Sequence, residues 1–559
     1  MVNPEPLTPA QINQLFGATP QPPDGTFELA LVLGGTVSAG AYTAGVLDFL
    51  FEALEEWTSQ KSNPETPQHK VIIRFITGTS GGGVNAAIAA RALAYNFPHV
   101  VRSTPNPDKG TGNPFYDIWV NNISLTNLLA TDDIVNSSVN SVLNGLPLDK
   151  AAQFIENYSA EPAPPRPYIA DPLGVILTVT NMRGVPYRLD MGNGGQSYID
   201  HADHARFAFI YGTGTSYTPR PDEFALGFDT ARLPQAIGWP TFGTFALATS
   251  AFPIGLPARN LARPYNHYQY RVTAIPADVP GAPAVVKQLI VDWNSLVAGG
   301  TTDISGDYHF FAVDGGVTDN EPIELARTAL AGYDGRNPRD GLNAKRAVLL
   351  IDPFAGEADL GSDQSQGLFL NALTLGQVLP QQTRYDTQDI LLALDNNVFS
   401  RFMISAQRAG LFGGAAIASS GLDAFLGFAC QAFRRHDYLL GRANCQAFLR
   451  SEFVLPAGAK ALNTGPSNAP LTTSAFLPII PLVGAAAVTE TPAPWPKGEL
   501  DPEIYRGDIE KRFKALVDAG LSGGLGKKFA AWFLNEFADG SVADFVIGKM
   551  KQALTDLNL

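Results

Sequence analysis

Cysteine, histidine and charge are scarce in this sequence of 559 residues. Two cysteines, Cys430 and Cys445, and seven histidines are too few for a disulfide framework or a clustered metal site, so we expect no bound metal. Charged residues make up 16% of the chain and leave a net charge of −14. Because nucleic-acid phosphates repel a protein of this charge, we expect no nucleic-acid partner.

Long hydrophobic runs are also missing. The longest apolar stretch, Ala475–Val488, is about 14 residues long and is broken by Pro478 and Pro481, so it is too short to cross a bilayer. Residues 1–16 have neither the basic nor the apolar region of a signal peptide. We therefore predict a cytoplasmic protein with no signal peptide and no transmembrane helix, and peripheral membrane association is the alternative. Since 45% of the residues are hydrophobic, the chain can still bury large cores.

The most informative stretch spans residues 71–95. Val71–Thr77 is a short, apolar, β-branched run that predicts a buried strand, and Val84–Tyr95 is rich in alanine, isoleucine and leucine, as in a buried helix. The turn between them contains Gly78, Thr79, Ser80, Gly81 and Gly82. A G-x-S-x-G motif between a strand and a helix is typical of a nucleophile elbow, which places the Ser80 hydroxyl at a helix N-terminus. The alternative is a loop that only joins the strand to the helix.

A glycine-rich turn precedes the elbow by one strand. Phe27–Leu33 predicts the first core strand, and Ala41–Trp57 predicts a helix with apolar residues at helical spacing. The glycine-rich turn, residues 34–40, joins them. The order strand, helix, strand, elbow and helix predicts the start of a parallel α/β sheet.

The glycine-rich turn matches neither common nucleotide-binding motif. Gly35 and Gly40 have P-loop spacing, but Ala41 and Tyr42 stand where that motif needs lysine and a hydroxyl residue. The dinucleotide fingerprint is not matched either, so we expect no cofactor. The functional interpretation that remains is an oxyanion loop, whose backbone N–H groups face a substrate carbonyl oxygen. The structural alternative is a plain strand-to-helix connection, which is compatible with a P-loop, a dinucleotide-binding turn or an oxyanion loop.

A serine nucleophile needs a base within hydrogen-bond reach, and Asp314 is the best candidate. Tyr308–Val313 predicts a strand that runs directly into Asp314, Gly315 and Gly316. The carboxylate therefore lies at a strand end, which is where open α/β sheets bind ligands. The alternative is an aspartate that only initiates a turn.

Other stretches have weaker signals. Residues 183–240 are rich in glycine, tyrosine and proline and predict surface loops that could line a pocket. Asn320 predicts the N-cap of the helix after Asp314. Residues 366–450 predict mainly helices, two of which meet at Gly441, and residues 451–500 predict a linker or wrap.

Three separated blocks of the sequence contain these features: LALVLGGTVSAGAYTAGVL (Leu29–Leu47), FITGTSGGGVNAAIAA (Phe75–Ala90) and AVDGGVTDNEPIELA (Ala312–Ala326). In this order, the blocks resemble the motifs of patatin-like phospholipases. ATSAFP (Ala248–Pro253) is similar to the small-residue segment between the last two. The run FRRHDYLLGRANC resembles the long C-terminal extension of bacterial patatin-related proteins.

The resemblance implies an α/β fold with a three-layer α/β/α core and a mostly parallel sheet. It implies an N-terminal arm at residues 1–26, a catalytic domain at residues 27–355 and a mainly helical C-terminal extension at residues 356–559.

The resemblance also implies hydrolysis of fatty-acyl esters through a Ser-Asp dyad and an acyl-enzyme. Carried over to this sequence, Ser80 is the nucleophile and Asp314 is the base that takes its proton. The implied substrate is a phospholipid or another acyl lipid, with transient contact to a membrane surface. An aromatic stripe near the C-terminus fits either an interfacial membrane helix or, as is commoner, a helix packed on the core; it contains Phe529, Trp532, Phe533 and Phe537.

The oxyanion loop of that family, G-G-G-x-[RK]-G, falls on residues 35–40, which implies Gly35, Thr36 and Val37 as the oxyanion hole. Thr36 and Val37 replace two glycines, and Ala39 replaces the basic residue. A positive φ is costly for a β-branched residue. This departure motivates a second hypothesis, a catalytically inactive patatin-fold protein that binds lipid or protein partners.

A third hypothesis is an α/β-hydrolase with a Ser-Asp-His triad, since His436 follows Asp314 in the right order. Against it, the elbow comes only one strand after the glycine-rich turn. His309 lies on the same strand as Asp314, and strand alternation turns it to the opposite face. Because His436 lies outside the inferred core, we expect no catalytic histidine.

Overall fold

A computed structural model describes residues 6–100, 110–136, 138–190, 195–212, 217–227, 238–275, 285–293, 306–333, 337–355, 392–393, 395, 397–463, 475–522 and 542–559. The helices are α1 Pro9–Phe16, α2 Gly40–Ser59, α3 Gly81–Ala92, α4 Pro114–Tyr116, α5 Leu125–Leu129, α6 Leu146–Asn157, α7 Trp239–Thr249, α8 Ile323–Ala331, α9 Leu426–Ala429, α10 Gln431–Ser451, α11 Arg506–Ser522 and α12 Val542–Asp556. A π-helix spans Asp117–Asn122.

The strands are β1 Thr26–Leu33, β2 Lys70–Gly78, β3 Ile169–Asp190, β4 Gly195–Ile210, β5 Glu223–Gly227, β6 Arg259–Pro264, β7 Val272–Ile275, β8 Val285–Gln288, β9 Asp307–Asp314, β10 Arg346–Ile351, β11 Arg401–Ile404, β12 Gln407–Arg408, β13 Leu411–Phe412, β14 Val454–Pro456 and β15 Phe476–Pro478. The main sheet has the order β11-β10-β1-β2-β3-β4-β5, with β9 paired to β3 and β6 paired to β9.

Most pairs in the main sheet are parallel, which confirms the predicted α/β class. Neighbours from β11 to β3 are parallel, as are β4 and β5, while β3–β4, β3–β9 and β6–β9 are antiparallel. Leu33 at the end of β1 lies opposite Gly78 at the end of β2. The glycine-rich turn and the elbow therefore leave the sheet at the same edge.

Both faces of β1 are covered by helices. Every residue of this strand is buried, as in a parallel strand with helices on both sides. Leu29, Leu31 and Leu33 lie in the large core with α2 and α3, whereas Ala30 and Val32 lie in a smaller core with α8. This alternation confirms the predicted three-layer α/β/α arrangement.

The prediction of surface loops over residues 183–240 is wrong for the part that the structure describes. β3 and β4 form a long antiparallel hairpin whose register runs to Asp190 opposite Gly195. Phe207 of β4 packs its ring 4.8 Å from Phe242 of α7, measured between centroids. The glycine and proline signals concealed this hairpin, because cross-strand pairing is a long-range property that local composition does not encode.

The C-terminal region is helical and also contains strands. β11 pairs with β10 and extends the main sheet, and β14 pairs with β15 within residues 451–500. The prediction of mainly helices missed β11–β13. These strands have two to four residues, which is too short to show the alternation of apolar and polar residues that indicates a strand. Residues 356–391 and the aromatic stripe Phe529, Trp532, Phe533 and Phe537 lie outside the described residues. The domain boundary at residue 355 stays a prediction.

The prediction of two helices that meet at Gly441 is wrong, because α10 is continuous from Gln431 to Ser451. Gly441 instead lies where α10 crosses α2. A Cβ on Gly441 would overlap the Tyr42 carbonyl oxygen, and a Cβ on Gly45 would overlap the Tyr438 carbonyl oxygen. The two glycines therefore let the backbones of α2 and α10 touch.

Buried charges also fix α10 on α2. The Arg442 guanidinium lies between the carboxylates of Asp48 and Glu52 of α2, and it contacts Glu490 at 2.8 Å. His99 Nδ1 lies 2.7 Å from the Asp48 carboxylate. Because these groups are buried, loss of Arg442 would leave the Glu52 carboxylate buried without its cationic partner. The described part of the C-terminal region is therefore integrated with the α/β core.

The helix at Val37–Ser59 is long and apolar enough to cross a membrane by length and composition. However, 94% of the 18-residue window that meets this test is buried inside the protein. A core helix of a soluble domain has the same properties, so this helix is weak evidence for a membrane span.

We expect Gly441→Ala to destabilise the protein by about 2–3 kcal/mol, because the added methyl group meets a backbone carbonyl that cannot turn away. Gly548→Ala in α12 is the matched control, since nothing lies within 4 Å of a Cβ there, and it should stabilise by about 0.5–1 kcal/mol. Chemical denaturation of both variants measures the difference. Equal stabilities would contradict the close crossing of α2 and α10.

Candidate active site

Ser80 lies on a strained turn between β2 and α3. Its φ of 54° and ψ of −128° are rarely adopted by a residue with a side chain, and such strain is concentrated at functional sites. The flanking glycines are required because other backbone atoms lie too close to leave room for a side chain. A Cβ on Gly82 would overlap the Leu33 carbonyl oxygen, and a Cβ on Gly78 would lie 2.7 Å from the Gly82 carbonyl oxygen. The predicted strand, sharp turn and helix are therefore present.

The turn is held from the far side by the C-terminal end of α7. The Ser80 N–H donates to the Thr249 carbonyl oxygen at 3.1 Å and to the Thr249 hydroxyl at 3.0 Å. Two residues later, the Ala251 carbonyl accepts the Asp314 N–H at 2.9 Å. Residues 249–251 therefore position both predicted catalytic residues. This positioning role was not predicted from the sequence, although the residues lie in the ATSAFP segment that resembles a family motif.

Asp314 lies at the end of β9, as predicted from the sequence. Its backbone pairs with Val179 of β3, and its carbonyl accepts the Thr180 hydroxyl at 2.8 Å. One carboxylate oxygen accepts the Gly316 N–H at 2.8 Å. A Cβ on Gly315 would overlap Thr178, so the glycine is needed for this tight packing.

The Ser80 side chain lies beside the Asp314 carboxylate and influences its pKa. Burial raises the pKa of Asp314 to about 7, while the interactions with the Ser80 side chain and with the Gly316 N–H lower it. Burial dominates because a carboxylate loses its hydration in the interior. The structure thus brings together the two residues that the sequence placed on separate strand ends, and it gives one of them a pKa near neutrality.

The glycine-rich turn packs on the elbow. A Cβ on Gly35 would lie 3.4 Å from the Ser80 Cβ, and a Cβ on Gly81 would lie 3.1 Å from the Val37 carbonyl oxygen. Val37 has a φ of 46°, the left-handed conformation that glycine adopts more easily. The structure therefore places Gly35, Thr36 and Val37 beside the Ser80 side chain.

The predicted oxyanion donors differ in their hydrogen bonds. The Gly35 N–H donates to the Asn320 carbonyl at 3.3 Å. The N–H groups of Thr36 and Val37 have no acceptor among the described residues. Of the three predicted donors, these two remain free for a ligand.

Asn320 does not cap α8, which corrects the prediction from the sequence. α8 begins at Ile323 with no side-chain cap. The Asn320 amide instead donates to the Glu321 carboxylate at 2.6 Å, and a Cβ on Gly35 would overlap its side-chain oxygen. The residue three positions before the helix thus supports the glycine-rich turn, a long-range contact that a local capping rule cannot anticipate.

An apolar cleft with a cavity volume of about 60 Å³ opens beside Ser80. Its walls include Val84, Trp119, Ile155, Leu247 and Phe252 from the first 355 residues, and Phe425 and Phe428 from the C-terminal region. These residues are distant in sequence, so the sequence analysis identified none of them as a wall. The cleft offers hydrocarbon contact to a ligand that reaches Ser80.

The described residues contain no group of three or more histidine, cysteine, aspartate or glutamate side chains that could hold a metal ion.

The profile of the family described as patatin-like phospholipase matches residues 31–327, which is more than half of the chain. The chain belongs to the patatin-like phospholipase family. The matched residues of this patatin-like chain include the glycine-rich turn, the elbow and Asp314. Family membership confirms the resemblance found in the sequence, and it supports lipid acyl hydrolysis at the general level with lipids as the substrate class.

Two further proteins are similar to this patatin-like chain. "Uncharacterized protein y4iI" of Sinorhizobium fredii (strain NBRC 101917 / NGR234) is 32% identical over 528 residues, which cover 84% of this chain and 72% of that protein. The crystal structure of VipD from Legionella pneumophila covers 97% of this chain and 85% of that chain, with 9% identity and a TM-score of 0.25. A similarity at that score supports no conclusion about fold or function.

Proposed function

We propose that this protein is a serine esterase that hydrolyses fatty-acyl esters of phospholipids or other acyl lipids. The observation that supports this most strongly is the position of Ser80 next to the buried Asp314 carboxylate, beside an apolar cleft. A carboxylate with a pKa of about 7 can accept a proton near neutral pH. A cleft with hydrocarbon walls suits an acyl chain.

In the proposed first step, Asp314 takes the Ser80 hydroxyl proton while the serine oxygen attacks the ester carbonyl. The oxyanion that forms would accept hydrogen bonds from the N–H groups of Thr36 and Val37, which have no acceptor among the described residues. Collapse of the tetrahedral intermediate breaks the ester bond, and the alcohol leaves with the proton held by Asp314. Ser80 keeps the acyl group.

In the second step, Asp314 takes a proton from water as the water attacks the acyl-enzyme. The fatty acid is released and Ser80 recovers its proton. An unperturbed aspartate is a weak base, so the burial that raises the pKa of Asp314 to about 7 is the feature that makes direct proton transfer effective.

The test is release of fatty acid from dispersed phospholipid by the purified full chain, with Ser80→Ala as the inactive control. Fatty acid release that depends on Ser80 supports the proposal. Lipid binding without release would favour the second hypothesis, an inactive lipid-binding protein, which the replacement of glycine by Thr36 and Val37 motivates. We also propose transient contact with a membrane surface and a cytoplasmic location.

The proposed chemistry uses no histidine. Among the described contacts, each of the seven has another environment: His69 bonds the Ile479 carbonyl, His99 bonds Asp48, His201 bonds the Asn181 carbonyl, His204 contacts Arg271, His267 packs on Phe224, His309 is exposed, and His436 bonds Asp437. His309 faces away from Asp314 along β9, as strand alternation predicted.

We expect His436→Ala to keep kcat/KM within about threefold of wild type, because its imidazole pairs with Asp437 and Trp495 rather than with the site. His436→Gln, which keeps a hydrogen-bonding side chain, is the control if the alanine variant is unstable. Ester hydrolysis and melting temperature are measured together. A variant that is folded yet inactive would contradict the dyad and favour the α/β-hydrolase triad.

A further inference from the structure

A segment of the C-terminal region, residues 417–428, lies against the glycine-rich turn. The Ser38 N–H donates to the Ala424 carbonyl oxygen at 3.2 Å, and the Ser38 hydroxyl donates to the same oxygen. A Cβ on Gly427 would overlap the Ser38 hydroxyl. The segment therefore touches the residue that follows Val37, one of the two free N–H donors beside Ser80.

The backbone of this segment has an uncommon conformation. Leu422, Asp423 and Ala424 have φ values of 54°, 52° and 65°. Residues with a Cβ rarely adopt this region, and a run of three persists only where the surroundings fix it.

Helix α10 supplies those surroundings. The buried Asp437 carboxylate accepts the N–H groups of Ala418 and Ser419 at 2.8 and 2.9 Å. The buried Arg434 guanidinium donates to the Gly427 carbonyl at 2.6 Å and to the Val120 carbonyl at 2.9 Å. Since Arg442 anchors α10 on α2, the 417–428 segment is fixed to the α/β core at both ends.

The segment places two aromatic rings in the wall of the apolar cleft. Phe425 and Phe428 are half-buried and line the same cleft as Ser80. The Phe425 ring packs edge-on against Phe252 at 5.4 Å and against Phe428 at 5.9 Å, measured between centroids. Phe252 directly follows residues 249–251, which position Ser80 and Asp314, so the aromatic wall is continuous with the site.

We infer that Phe425 and Phe428 of the C-terminal region are specificity-determining residues that set which acyl chain lengths the cleft accepts. The inference rests on the proposed function, because it assigns the cleft to the acyl chain. Because the backbone that holds both rings is fixed, a larger or smaller side chain at either position changes the volume of the cleft and does not move its wall. The C-terminal extension is thereby a part of the active site.

The test compares Phe428→Ala and Phe428→Trp with wild type on p-nitrophenyl esters of 4 to 16 carbons. The alanine variant should raise kcat/KM for the longest ester relative to the shortest by about tenfold, and the tryptophan variant should lower that ratio by a similar factor. Phe412→Ala is the matched control, because Phe412 is an exposed phenylalanine of the same region outside the cleft. Melting temperatures verify that each variant is folded.

A second measurement does not need turnover. Displacement of a bound fluorescent fatty acid by fatty acids of the same lengths is measured in a Ser80→Ala background. Opposite shifts in length preference for the two Phe428 variants support the inference, even if wild type hydrolyses nothing and the proposed function fails. Unchanged preference in both variants overturns the inference, and it does so even if wild type is an active esterase.

Discussion

Replacing Ser80 with alanine should abolish ester hydrolysis and leave the fold intact. The change removes one oxygen from a turn whose geometry is fixed by the Thr249 hydrogen bonds and the flanking glycines. Without that oxygen no acyl-enzyme can form, so kcat/KM should fall by at least about 10⁴-fold. The measurement is fatty acid or p-nitrophenol release, with the melting temperature recorded in parallel.

Ser451→Ala is the matched control for this experiment. Ser451 is an exposed serine at the end of α10, and its hydroxyl bonds the Ala447 carbonyl of the same helix. The control should keep wild-type activity. Unchanged hydrolysis by Ser80→Ala would rule out this site as the source of the activity.

Asp314→Asn should be nearly as damaging as Ser80→Ala, because a neutral amide cannot take the serine proton. The substitution keeps the shape of the side chain, and its oxygen can still accept the Gly316 N–H. We therefore expect a loss of kcat with little change in KM. An Asp314→Asn variant with kcat close to wild type would exclude Asp314 as the base.

The pH dependence of hydrolysis provides a second test of Asp314. The ionised carboxylate is the active form, so kcat/KM of wild type should rise with pH through about 7 and then level off. Asp319 is the matched control, since burial raises its pKa to about 7 as well. Asp319→Asn should keep the rise, and Asp314→Asn should lose it. If the rise of kcat/KM disappears in Asp319→Asn but persists in Asp314→Asn, the titrating group is Asp319, and Asp314 is not the base.

Stability should respond to pH in the opposite sense to activity. The folded protein holds the Asp314 proton up to about pH 7, whereas the unfolded chain releases it near pH 4. The free energy of unfolding therefore falls as pH rises between these values, by up to roughly 4 kcal/mol for this group. Above about pH 7, Asp314→Asn should be more stable than wild type in chemical denaturation.

The sequence predicted those parts of the site whose conformation depends on residues adjacent in the chain. The β-branched run before Ser80, the small residues after it and the strand that ends at Asp314 each encode their own conformation. The family motifs then indicated that these separate strand ends belong to one site. The assignment of roles to Ser80, Asp314 and the oxyanion loop stays a prediction.

The features that the sequence did not reveal depend on contacts between distant segments. Asn320 looked like a helix cap because capping rules consider only the next few residues, yet it supports Gly35 across the sheet edge. Gly441 looked like a helix break, yet it serves a helix crossing with α2. Phe425 and Phe428 had no recognisable motif, because a cleft wall is defined only by what folds against it.

Covalent labelling is the most direct test of whether Ser80 is a nucleophile activated by Asp314. The full chain is treated with a fluorophosphonate, which reacts with activated serines, and the labelled peptide is identified by mass spectrometry. We expect one label on Ser80, no label on Ser80→Ala and much slower labelling of Asp314→Asn at pH 8. A label on a different serine, or equal labelling rates for wild type and Asp314→Asn, would contradict it.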